Sequence, residues 1–243
     1  MVTSTQSICE IISSQPSAAA ILQRFDIDPC FRADEPLDRA CAELQLSVDQ
    51  VLEKLADGAA NENGTAPANF DSYSPSRLIR HIVRTHHQHI RRELPGLVEM
   101  AQKLAGKHGD RAPELRRIEK LLGELRADIL AHLQKEEQIL FPFIAEMDQD
   151  SVAGCVVPHA CFSTVAQPVA MMIVEHGLAE NLVHEICVLT NSFAPPDWAC
   201  QTHIALCAGL REFAADLRQH VHLENDVLFP RAIELEATLN TEG

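Results

Sequence analysis

The chain has 243 residues, with 20 Lys and Arg against 35 Asp and Glu for a formal net charge of −15, and 12 His. That acidity excludes nucleic acid and anionic membrane surfaces as partners, because both recruit basic groups that displace counterions from phosphate. At 46% hydrophobic residues the chain is neither disordered nor membrane-like, and its length supports one or two domains whose core needs no disulfide staples. The 8 Cys include no CxxC pair and do not read as a disulfide framework. The first positive side chain is Arg24 and no long apolar run precedes it, so the sequence predicts no secretory signal, no membrane span and a cytoplasmic protein.

In chain order, residues 1–57 carry short apolar stretches around Ile8, Ala18 and Leu37, interrupted at Pro16, Pro29 and Pro36. They predict a small helical domain that contains Cys residues. The Gly-, Asn- and Pro-rich stretch 58–76 reads as a linker. Four helical patterns follow in 77–243. The first runs to about Val98 with Pro95 as a kink or end, the second covers 114–147, the third starts at Pro168 and ends near Ser192, and the fourth covers 198–239. No alternating strand pattern is present, so the expected fold is all-α: a four-helix bundle preceded by a small helical N-terminal domain.

The most specific feature is an internal repeat. Asp128-x3-His132-x3-Glu136-x3-Leu140-Phe141-Pro142 recurs as Asp216-x3-His220-x3-Glu224-x3-Leu228-Phe229-Pro230, an offset of 88 residues. His86 and His176, in the first and third helices, form a further pair at an offset of 90. Residues i and i+4 share a helix face, so each His-x3-Glu can converge on one ion. Adding His86 and His176 gives four neutral nitrogen donors and two carboxylates, enough for two metals with Glu136 and Glu224 bridging. Bridging follows because two close cations need shared negative charge to offset their repulsion. Asp128 and Asp216, four residues before His132 and His220, are expected to accept the imidazole N–H on the side away from the metal. His87, His89, His184 and His222 read as solvated or as outer neighbours of the ligands. The donor types alone suit iron, manganese or zinc, and a metal-free helical interaction protein is the alternative of another class. No nucleophile–base pair or phosphate-binding loop is evident, which argues against conventional enzyme chemistry.

Four segments together resemble a known family: Arg84-Thr85-His86-His87-Gln88-His89 followed by Glu93-Leu94-Pro95; His132 through Glu136-Glu137-Gln138 to Pro142; Glu175-His176; and His220 through Glu224-Asn225-Asp226 to Pro230. The chain resembles the hemerythrin-like di-iron proteins called repair of iron centres proteins, over nearly its whole length. The resemblance implies a hemerythrin-like bundle holding two iron ions, oxo- or hydroxo-bridged and carboxylate-bridged. It implies ligands His86, His132, His176 and His220 with Glu136 and Glu224 as bridges. It also implies NO or O2 as small ligand and iron–sulfur proteins damaged by nitrosative or oxidative stress as clients. Sequestering NO or O2 without repair is the alternative activity. In that family a Cys-Cys pair stands in the N-terminal domain; here the matching stretch ends Pro29-Cys30-Phe31, so any thiol relay falls to Cys30.

Overall fold

The computed structural model describes every residue except 1, 16–17, 24, 26, 28–31, 33–34, 45, 62–69, 154–161 and 243. Cys30 and residues 62–69 of the expected linker therefore lie outside the described residues. The chain forms two compact units, Met1–Asn69 and Phe70–Gly243. Among the described residues there is no strand, only an isolated antiparallel bridge between Ser7 and Pro36.

The first unit contains α1 (Ile8–Ser14), α2 (Ala18–Gln23), α3 (Leu37–Glu43) and α4 (Val48–Asn61). These helices are too short to persist alone, so their stability comes from caps and packing. Ser7 opens α1 with a capping box: its side chain accepts the Glu10 N–H, and the Glu10 carboxylate accepts the Ser7 N–H at 2.9 Å. Ile8, Ile11, Leu22, Leu37, Cys41, Val51 and Leu55 share one core, and the Gln15 side-chain amide donates to the Leu55 carbonyl at 2.7 Å across it. Burial pushes the Cys41 thiol above its ordinary pKa, which leaves it inert packing material.

The second unit is a bundle of four long helices. Helix α5 covers 75–108 and joins Pro75–Ile82, a π turn Val83–His87 and Gln88–His108. Helix α6 covers 114–153 with a π turn at Glu136–Leu140, α7 is Ala166–Leu189, and α8 covers 201–242 with a π turn at Leu223–Leu228. Ser74 caps α5 by accepting the Arg77 N–H, with Pro75 at the first helical position. The Arg231 guanidinium donates to the Phe70 and Tyr73 carbonyls and so ties the entry to α8. Helix α6 packs against α5 and α7, and α8 against α5.

These helices run further than the sequence patterns suggest. Helix α5 continues through Pro95 to His108, because the carbonyl that Pro95 cannot serve belongs to Arg91, on the exposed side where water can take it. Pro142 and Pro230 lie inside α6 and α8, as the patterns over 114–147 and 198–239 imply. Each follows directly on a π turn in which Glu136 or Glu224 gives its carbonyl to an N–H five residues on, at Phe141 or Phe229, and this wide turn accommodates the proline ring.

Two apolar zones hold the bundle. Near the π turns lie Leu78, Ile82, Phe141, Ile144, Met172, Leu228 and Phe229; toward the other end lie Leu104, Ile118, Leu121, Leu210 and Phe213. Phe213 is 1% exposed. Phe213→Ala is expected to lower unfolding free energy by about 3–5 kcal/mol while the chain stays helical, read from denaturant midpoints at constant slope.

Candidate metal centre

His132 and Glu136 lie one turn apart on α6, as do His220 and Glu224 on α8, and all four side chains are buried. His176 comes from α7 and His87 from α5. The carboxylates of Glu136 and Glu224 are 0% exposed and stand at the middle. His176 Nε2 lies 3.0 Å from Glu224 Oε2, and His220 Nε2 lies 2.9 Å from Glu224 Oε1. His132 Nε2 lies 3.4 Å from Glu136 Oε1, and His87 Nε2 lies 3.5 Å from both carboxylates. The donors form two sets, His87–Glu136–His220–Glu224 and His132–Glu136–His176–Glu224, each with its donor atoms within 4.8 Å of one another. Both carboxylates belong to both sets.

This donor set fits cations. His132 Nε2, His176 Nε2, both Glu136 oxygens and Glu224 Oε2 are buried without a hydrogen-bond partner, a costly state for a polar core unless an ion completes it. Nitrogen and carboxylate oxygen are the donors that borderline and hard transition-metal ions prefer.

The structure brings together five of the six residues singled out by the repeat, namely His132, Glu136, His176, His220 and Glu224, and corrects the sixth. His87, not His86, enters the cluster. The internal symmetry shows the same thing independently. The His87 ring stacks on Phe141 at 5.6 Å and the His176 ring on Phe229 at 6.1 Å, while His87 Nδ1 meets Glu137 at 2.7 Å and His176 Nδ1 meets Asn225 at 2.9 Å. Phe141 and Phe229, like Glu137 and Asn225, are 88 apart, and His87 and His176 are 89 apart. The reason for the slip is the π turn Val83–His87, which widens α5 just where the histidines sit and shifts the inward-facing position from the one a 3.6-residue period indicates. His87 is 0% exposed, so it is not solvated, and its Nε2 faces both central carboxylates.

Asp128 is exposed and is not the acceptor for His132; that place belongs to Glu175, whose Oε2 accepts the His132 Nδ1–H at 2.9 Å. Asp216 does accept from an imidazole, but from His86 Nδ1 at 2.9 Å and not from His220. Four residues on a helix are 40° past a full turn, so each Asp sits on the flank beside the neighbouring helix instead of over its own histidine. Glu175, Glu137 and Asn225 are not part of the repeated motif. Their signal was adjacency: Glu175 precedes His176, while Glu137 and Asn225 each follow a central Glu. Of the remaining histidines singled out, His184 is exposed, His89 is half-buried, and His222 is half-buried against Asp226 at 2.7 Å.

Charge in the cluster is tightly offset. Burial pulls the His87 imidazole down, but its hydrogen bonds to Glu137 and Glu224 and the charges of both central carboxylates outweigh this and raise its pKa to about 9. His132 and His176 are raised by the same central carboxylates, against the same burial. Burial pushes Glu224 up, yet His220, His176 and His87 hold it well below the ordinary carboxylate range. Protons thus occupy the role that cations would take, and metal uptake must release them.

The family model for the hemerythrin HHE cation binding domain matches residues 78–232. A probable iron-sulfur cluster repair protein of Haemophilus influenzae is 32% identical over 228 residues, covering 94% of this chain and 96% of that protein. The iron-sulfur cluster repair protein YtfE of Dickeya chrysanthemi is 33% identical over 231 residues, covering 95% and 98%. YtfE of Escherichia coli (strain SMS-3-5) is 33% identical over 228 residues, covering 94% and 96%. These similarities agree with the resemblance read from the motifs.

The His87–Glu137 pair sets a pH window for the metal-free protein. His87 is raised from 6.5 to about 9, so its contribution is complete below pH 6.5 and lost as pH rises toward 9. Glu137 is lowered from 4.5 to about 2 by its hydrogen bond from His87, so its contribution is complete above pH 4.5 and lost as pH falls toward 2. The melting temperature of metal-stripped protein is expected to fall between pH 6.5 and 9, and Glu137→Gln to flatten that fall. Identical profiles for the two proteins would contradict the assignment.

Proposed function

The chain belongs to the hemerythrin HHE cation-binding family, and from that premise we propose that it is a cytoplasmic non-haem di-iron protein that helps restore iron–sulfur clusters damaged by nitrosative or oxidative stress. The observation that carries this reading is the pair of four-donor sets sharing Glu136 and Glu224, with buried donor atoms that lack other partners. His87 and His220 would hold one iron and His132 and His176 the other, with Glu136 and Glu224 serving both. Such a pair would supply one-electron redox change and binding of NO or O2.

The chain's own residues do the rest. Glu137, Glu175 and Asn225 fix the orientation and tautomer of three of the four rings from outside, at 2.7–2.9 Å. Phe141, Phe229 and Ile82 close the apolar surroundings and keep bulk water from the carboxylates. Damaged iron–sulfur proteins are the clients, in keeping with the names of the relatives. Among the described residues no helix is long and apolar enough to cross a membrane. Cys30 is the residue to which a thiol relay falls, and it lies outside the described residues. Phe31 stands where the family resemblance puts a second Cys, and this favours a second reading, in which the site sequesters NO or O2 and repairs nothing.

Purified protein is expected to hold two irons per chain and to show a visible absorption spectrum that changes on reduction and on NO exposure, and Glu136→Ala or Glu224→Ala to lose both metals. Added in reduced form to an NO-inactivated iron–sulfur hydratase after free NO has been removed, the protein is expected to restore hydratase activity, with Cys30→Ser slowing recovery. A colourless protein without iron would end the di-iron reading. Iron present with no recovery would select sequestration.

A further inference from the structure

The approximate two-fold of the bundle assigns a counterpart to every position of the site, and two outer positions differ in kind, Glu137 against Asn225 and His86 against Glu175. His87 corresponds to His176, so the residue before it, His86, corresponds to Glu175. Glu175 accepts the Nδ1–H of His132 at 2.9 Å. The counterpart of His132 is His220, and position 86 is therefore the one that should serve His220 Nδ1. An imidazole stands there in place of a carboxylate.

Three features give that imidazole a role. His86 is 2% exposed, and its Nδ1 donates to Asp216 Oδ1 at 2.9 Å, which leaves the lone pair on Nε2. His86 Nε2 and His220 Nδ1 are both buried and both lack a hydrogen-bond partner. The two rings are neighbours, with centroids 6.0 Å apart and planes 11° from parallel.

We propose that Asp216 and His86 together are the outer partner of His220: Asp216 fixes the His86 tautomer, and His86 Nε2 accepts the His220 Nδ1–H across one bridging water. His86 is then a positioning residue that keeps His220 Nε2 free for the centre, and it explains why two adjacent histidines are both buried. The inference rests on the metal-centre reading for its purpose, but its geometry is testable without metal.

The test compares wild type with His86→Phe, which keeps a flat ring but removes the acceptor, and with His86→Glu, which copies the Glu175 arrangement. Glu175→Gln serves as the control on the other half. In metal-free protein, 15N resonances of the ring nitrogens are expected to shift at His220 in H86F and at His132 in E175Q, each leaving the other ring unchanged. In protein loaded with Co2+ and challenged with a chelator, H86F is expected to release one of two metals about 10- to 100-fold more readily, and H86E to hold both at least as well as wild type. Unchanged His220 resonances in folded H86F would overturn the proposal, as would an H86E protein that loses metal like H86F. Should H86F fail to fold, Asp216→Asn is expected to move the His220 resonances without removing a ring, and no movement there would also overturn it. Wild-type protein that takes up no metal would defeat the metal-centre reading, while the 15N comparison still decides the role of His86.

Discussion

Two carboxylates with no exposure to solvent, Glu136 and Glu224, stand in the middle of an otherwise apolar bundle, and much of the surrounding architecture answers their charge. A carboxylate taken out of water costs several kcal/mol unless positive groups and hydrogen bonds offset it. Four imidazoles do so, one from each helix. Those imidazoles need outer acceptors of their own, and the acceptors need neighbours: Lys135 pairs with Glu175, and Arg91 with Glu137 at 2.7 Å. Charge thus alternates outward from the centre, and the formal −15 of the chain overstates the negative potential near its core.

The π turns belong to the same problem. One encloses His87, one begins at Glu136, and one contains Glu224 as its second residue. Each widens the helix at a donor, and the latter two permit the chain to continue past Pro142 and Pro230 in regular helix. Helix α7 carries His176 and has no such turn. The difference between the offsets 88 and 89 arises after His87, since His132 follows His87 by 45 positions and His220 follows His176 by 44.

The winding at the π turns also marks the limit of what the sequence could disclose. Glu136 and Glu224, with His132 and His220, are legible because both members of each pair lie within one helix, where a spacing of four has a single geometric meaning. His176 is legible because only one histidine is near the expected position in α7's inward face. The choice between His86 and His87 depended on an extra residue of winding that no periodic template contains. The outer acceptors depended on which helix lies beside which, and so Asp128 looked apt by spacing while Glu175 took its place from a neighbouring helix. The fold itself was readable from four apolar patterns, and the end of α5 was misjudged because Pro95 reads as a kink or stop, whereas the exposed Arg91 carbonyl lets the helix run on to His108.

With His86 in its proposed place, the two donor sets share a balance that no single contact reveals. In the set of His87 and His220, one ring is backed directly by a carboxylate, Glu137, and the other by the imidazole of His86, which Asp216 holds in turn. In the set of His132 and His176, one ring is backed by an anion, Glu175, and the other by a neutral amide, Asn225. The directly contacting carboxylates, Glu137 and Glu175, exchange places between the halves, yet each half has one, and each carries its own cation. An imidazole backed by a carboxylate is the more basic donor. Equal numbers of such donors on the two sides would keep two cations at similar affinity, whereas both on one side would favour one cation and leave the shared carboxylates with too little charge to neutralise. Keeping that count while breaking the symmetry of positions accounts for why one half can tolerate a histidine where its twin has a glutamate.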